Sequence, residues 1–153
     1  MSIFWPVTFI LVLLLQAGGI PPSAEEIFDR IEKAKLEKEQ DVEGRIKVYE
    51  NASKRIQKTL ETAVGNDDFQ TVPDKLKLWI SLLSKSLEDI EANLKNKKKS
   101  RALIRYEIQV RKSIANTENY KIRAPVEQQD LFDASLAEAE KIRQKFVAIL
   151  FPH

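Results

Sequence analysis

The chain has 153 residues, 43% hydrophobic and 31% charged, with a net charge of +2, which suits one packed domain rather than a disordered or wholly membrane-embedded chain. It has no Cys, one His and four Gly. These counts leave no disulfide framework, thiol nucleophile, Cys-ligated metal or Gly-rich phosphate loop, and they argue against a His-based catalytic or haem site.

Met1 to Ala24 carry no ionisable side chain, and Val7 to Leu15 reads V-T-F-I-L-V-L-L-L. That run, followed by small and turn-forming residues, resembles a secretory signal peptide. It departs from the pattern in having no Lys or Arg before Pro6. Ala17-Gly18-Gly19 offers small residues for cleavage, whereas a cut after Ala24 is hampered by Pro22. The competing reading is an uncleaved N-terminal membrane anchor. Ile3 to Ile20 reaches the lower edge of the roughly 17–25 residues that span a bilayer, and Pro6 and Gln16 weaken it. The expectation is therefore an exported protein, periplasmic or extracellular, that loses residues 1–24. It is membrane-anchored if they are retained. A lipoprotein is excluded, because there is no Cys to acylate.

Residues 25–153 read as one helical domain, rich in good helix formers and cut into four segments by breakers and caps. The first helix is predicted at about 24–64, opening on a capping box at Ser23 and Glu26. Its second half places Val42, Ile46, Tyr49, Ser53, Ile56, Leu60 and Ala63 at alternating spacings of four and three, a coiled-coil-like seam with one polar knob. Lys35 to Asp41 holds only Leu36 as an apolar residue, and Gly44 costs about 1 kcal/mol relative to Ala in a helix. The helix is therefore expected to bend or project near 36–44.

Gly65 caps that helix, and Phe69 is the one apolar anchor in the loop after it. The second helix, about 74–95, carries Leu76, Ile80, Leu83, Leu87, Ile90 and Leu94, widened by Trp79 and Leu82, the strongest core signal in the chain. The third, about 100–123, has a main stripe of Leu103, Tyr106, Val110 and Ile114. A second stripe holds Ile104, Ile108, Ala115 and Ile122, as a central helix or a partner groove would have. The fourth, about 126–150, follows Pro125. Short connections favour an all-α, antiparallel bundle of three to four helices.

Charge is unevenly spread. Residues 97–124 hold nine basic and two acidic side chains. Lys98, Arg101, Arg105 and Lys112 fall within roughly 60° of one another on the third helix. These four are the candidate site for an anion or partner, namely an acidic protein or an anionic envelope surface. The alternative is a solvated or internally paired face. Nucleic acid is not expected, since export and the lack of interleaved aromatics both oppose it. Membrane contact is expected only through residues 1–24.

No catalytic residues, metal ligands or cofactor emerge. His153, the lone His, ends the chain, so the Glu-x-x-His pairs of a bundle di-metal site are absent. Asn51-Ala52-Ser53 matches a glycosylation sequon but falls mid-helix near the seam, where a glycan would clash. The favoured function is a non-enzymatic exported helical protein working by protein–protein or envelope contact. The alternatives are an enzyme with a Glu/Arg/Tyr site around Tyr49, Tyr106, Glu107 and Arg111, and a membrane-tethered structural coiled coil.

Overall fold

Four long amphipathic helices bury their apolar stripes against one another in a computed structural model that describes residues 24–95 and 99–153. The apolar N-terminal segment up to Ser23, and Lys98, lie outside the described residues. The elements are α1 (Ala24–Ile27), α2 (Arg30–Lys38), α3 (Val42–Gly65), α4 (Val72–Asn93), α5 (Arg101–Arg123) and α6 (Gln129–Leu150), with a 3₁₀ turn at Val126–Gln128 before α6. No strand occurs among the described residues.

The bundle is α3 to α6. Around its circumference α3 lies between α4 and α5, and α6 closes the ring against α5 and α4. Cross-links fix the directions. Arg45 meets Asp89 in the antiparallel pair α3–α4, and Glu107 meets Arg143 in the antiparallel pair α5–α6. Glu50 with Arg105 and Gln57 with Thr117 run in the same order along α3 and α5, so those neighbours are parallel. Consecutive helices thus alternate in direction, as short connections require, but two of the four sides of the bundle are parallel. The α4 and α5 helices face each other across the diagonal of the bundle, and the Ser86 and Tyr106 hydroxyls bond across it at 2.7 Å in the buried centre.

The core follows the predicted stripes. Val42, Ile46, Tyr49, Ser53, Ile56, Leu60 and Ala63 are all buried, as are Leu76, Trp79, Leu82, Leu83, Leu87 and Ile90. A second apolar cluster of Leu60, Val64, Val72, Leu76 and Phe132 seals the end of the bundle that carries the α3–α4 and α5–α6 loops. Phe69 packs onto it as the anticipated loop anchor.

The first predicted helix needs correction. It is three helices: the bend expected near 36–44 is a break between Lys38 and Val42, where the chain folds back and does not project. Asp29 breaks it by capping α2: its carboxylate accepts from the Glu32 amide at 2.8 Å, and its own amide donates to Glu32 Oε2 at 2.9 Å. Asp41 then caps α3 by accepting from the Glu43 amide at 3.2 Å. Arg45 Nη1 ties the link between the two helices by donating to the carbonyls of Glu39 and Gln40 at 3.2 and 2.8 Å. The α2 helix folds back along α3, where Arg55 Nε and Nη2 each donate to the Glu32 carboxylate at 2.9 Å. Ile27 and Phe28 are delivered to the main core, with the Phe28 ring 6.0 Å from that of Tyr49. Gly44 has a local reason. A Cβ there would collide with the Glu39 side-chain carboxyl carbon, so glycine lets Glu39 cross the first turn of α3.

The sequon is also corrected in one respect. Ser53 is buried, but Asn51 is exposed on α3, so a glycan at Asn51 would not meet the core. No helix among the described residues is long and apolar enough to cross a membrane.

Candidate functional site

The basic helix predicted from sequence is α5, and its position in the bundle decides which of its side chains can meet a partner. Ser100 starts it, accepting from the Leu103 amide at 3.0 Å. Ala102, Leu103, Tyr106, Val110, Ser113 and Thr117 turn inward and are buried. The side chains half a turn away, Arg101, Lys112, Ala115, Glu118 and Ile122, are exposed. The helix is therefore a corner of the bundle and not its centre. Its second apolar stripe is only partly covered: Ile104 packs on the core and Ile108 is half-buried, while Ala115 is exposed and Ile122 is 81% exposed.

Of the four predicted site residues, three are described, and they lie along the outward face of α5 and its border with α3. Arg105 leans toward α3, 3.6 Å from Glu50 Oε2. Arg101 and Lys112 are exposed and have no ion pair among the described residues. Lys99, just before the helix, covers the Phe151 ring at 4.2 Å from its centroid. Four other arginines are tied. Arg45 holds Asp89, Arg55 holds Glu32, Arg123 holds Asp67 and Arg143 holds both Glu107 and Glu140.

Glu107 and Arg111 stand four residues apart on α5, the spacing of an intrahelical ion pair. That contact exists at 3.9 Å, but the shorter partner is Arg143 of α6, at 2.8 Å. Hydrogen bonding to Glu140, partly opposed by burial, raises the Arg143 pKa above its ordinary value, and the same bond lowers that of Glu140.

The polar groups considered for an enzyme site are each committed to a partner. Tyr106 is fully buried on Ser86, and burial pushes its phenol pKa upward. The Tyr49 hydroxyl donates to Asp89, and burial first, then that bond, raises its pKa as well. Both phenols stay protonated near neutrality, so neither can act as a base there. The grooves open to solvent lie elsewhere. One of about 510 Å³ runs between α3 and α4 beside Arg55, Thr59, Thr62 and Lys75. Another of about 550 Å³ lies between α4 and α6 beside Ile80, Leu131 and Ala134.

A polar seam between α3 and α5 escaped sequence reasoning. Gln57 Nε2 reaches Thr117 Oγ1 at 3.4 Å, and Gln109 Nε2 donates to Ser113 Oγ at 2.8 Å. Only Ser53 signalled it, as the polar knob on the α3 seam. Among the described residues no group of three or more His, Cys, Asp or Glu is placed to hold a metal ion. Compared with known protein families, characterised proteins and solved structures, the chain matches none.

Proposed function

We propose that this is an exported, non-enzymatic helical bundle that acts by contact, binding an anionic surface along the outward edge of α5. The observation that supports it is the state of the α5 cations. Arg101 and Lys112 face solvent without a carboxylate partner among the described residues, and Arg105 has only a 3.6 Å contact with Glu50. Like charges gathered on one helix face repel one another. A face meant only for solvation gains little from that arrangement, whereas an anionic partner relieves the repulsion.

The test is adhesion of the full-length protein to anionic vesicles or envelope fractions at low salt, where the Debye length is long. A cation held near an anionic surface contributes roughly 1 kcal/mol. Reversing two of them, in Arg101→Glu with Arg105→Glu, should therefore weaken adhesion by well over tenfold, and added salt should weaken the native protein in the same way. Adhesion that is unchanged in the double variant and insensitive to salt would make α5 a scaffold element. Export has its own measurement. The mass of the protein recovered from the periplasm or medium should lack the apolar segment before Glu25, whereas a full-length mass in the membrane fraction establishes the anchor.

A further inference from the structure

We infer that α5 is also a self-association surface, on which a second copy of this chain packs antiparallel about Ala115. The outward meridian of α5 passes through Ala115, because the buried positions Tyr106, Ser113 and Thr117 all fall on its opposite side. At 100° per residue, Ile108 and Ile122 lie seven residues before and after Ala115, within about 20° of that meridian. Ile108 is half-buried, Ala115 is exposed and Ile122 is 81% exposed, so this line is the uncovered remainder of the second apolar stripe.

The line reads the same in both directions. A two-fold axis at Ala115 sets Ile108 against the partner's Ile122 and Ile122 against the partner's Ile108. The small Ala115 side chains meet at the centre, where they allow close approach. An isologous contact of this kind must be self-complementary, and the charges on one flank are. Arg111 precedes Ala115 by four residues and Glu118 follows it by three, both on the α6 side of the meridian. Rotation brings each Arg111 level with the partner's Glu118. Both are available: Glu118 is exposed and in no ion pair among the described residues, and Arg111 is 60% exposed with only the 3.9 Å contact to Glu107.

The other flank carries Arg101, Arg105 and Lys112. The axis leaves these on a common side of the dimer, the set from one protomer continuing end to end into the set from its partner. With a rise of 1.5 Å per residue the row reaches about 21 Å on either side of the axis. Two short basic patches thereby become one ribbon. The ribbon's role rests on the anion-binding reading above, whereas the pairing rests on the apolar stripe and the Arg111–Glu118 complement. One helix pair is a small interface, toward or below the ~1,200 Å² of the weakest stable complexes, so the dimer should be concentration-dependent.

The chain has no cysteine, which makes disulfide trapping a direct test on the full-length protein. Ala115→Cys places two thiols at the axis and should form a covalent dimer under mild oxidation, while Arg101→Cys, with its copies about 42 Å apart, should not. Failure at Ala115→Cys, or equal cross-linking at both positions, overturns the antiparallel pairing. In solution, Glu118→Arg should raise the dimer dissociation constant at least tenfold, and Arg111→Glu combined with Glu118→Arg should restore it. A double variant as weak as the single one also overturns it. A monomer that still binds anionic vesicles in a salt-dependent way refutes the dimer alone, and a dimer that binds none refutes the anion reading alone.

Discussion

Trp79→Ala is expected to lower the stability of the bundle by about 3–5 kcal/mol, the range for truncating a large buried aromatic. Trp79 is wholly buried in the main core cluster among α3, α4, α5 and α6 residues. A cavity of that size, surrounded by four packed helices, cannot collapse without moving one of them. Trp79→Phe separates the two contributions of the indole. It too removes volume, but it also removes the Nε1 hydrogen donor, which has no acceptor among the described residues. Leaving such a donor buried costs roughly 1–3 kcal/mol, about the size of the smaller packing loss. Chemical denaturation should therefore show Trp79→Phe within about 1 kcal/mol of the native protein, because the two terms oppose. A Phe variant as damaged as the Ala variant would mean that the indole N–H is satisfied and that packing alone sets the cost.

Helix periodicity carried the interior because each long helix has one job, to bury one stripe. The seven seam positions of α3 from Val42 to Ala63 are buried as spaced, and of the α4 run from Leu76 to Leu94 only Ile80, at the rim of the α4–α6 groove, and Leu94, at the helix C-cap, are partly exposed. The boundaries of α5 and α6 fall within three residues of those predicted. The first helix failed because two competing caps lay inside an otherwise helical composition. Asp29 followed by Glu32 is itself a capping-box pattern, and it outcompetes continuation of the helix because Arg55, distant in sequence, holds the same Glu32. Nothing local to residues 24–41 reveals Arg55, so the fold-back of α2 was illegible.

Much the same limit applies to the site. The clustering of Arg101, Arg105 and Lys112 is visible from spacing alone, because one helix carries all three. Whether they are free is a tertiary fact, set by where Glu50 of α3 and Glu107 of α5 find their partners. The second apolar stripe of α5 is visible as spacing, but α5 packs on α3 and α6 as a corner of the bundle, so the expected central helix is not what the stripe marks. The bundle covers it at Ile104, half-buries Ile108 and leaves Ala115 and Ile122 open. Nothing in the sequence distinguishes the cross-helix cations Arg45, Arg55 and Arg143 from the other charges. Each proves to be a tie between elements, which isolated i,i+4 counting cannot find.

The largest electrostatic effect should come from Asp89, where three side chains of α3 and α4 converge. Its carboxylate accepts from Arg45 Nε and Nη2 at 2.8 and 2.9 Å, from the Tyr49 hydroxyl, and from Asn93 Nδ2 at 2.7 Å. Burial by itself would raise the Asp89 pKa, but the hydrogen bonds from Arg45, Tyr49 and Asn93 outweigh it and hold the carboxyl below the ordinary carboxylate value. A pKa lower in the folded than in the unfolded chain means that the ionised form stabilises the fold. That contribution is fully present above the unfolded value of about 4, and it is lost as the pH falls through the lower folded value. Asp89→Asn keeps the shape but removes the charge, leaving Arg45 and the buried Tyr49 hydroxyl poorly matched. With the ion pair partly exposed, the loss near neutral pH should be about 2 kcal/mol, within the range for hydrogen bonds to a charged group and below that for breaking a fully buried pair. Urea denaturation of the two proteins from pH 7 downward should show a gap that is constant to about pH 5 and narrows below pH 4, as the native carboxyl protonates. The variant should keep some acid sensitivity, because Glu140, held by Arg143, is shifted in the same direction. A gap that persists undiminished at pH 2 would show that Asp89 acts through shape and packing, and that the Arg45–Asp89 tie contributes no charge-dependent stability.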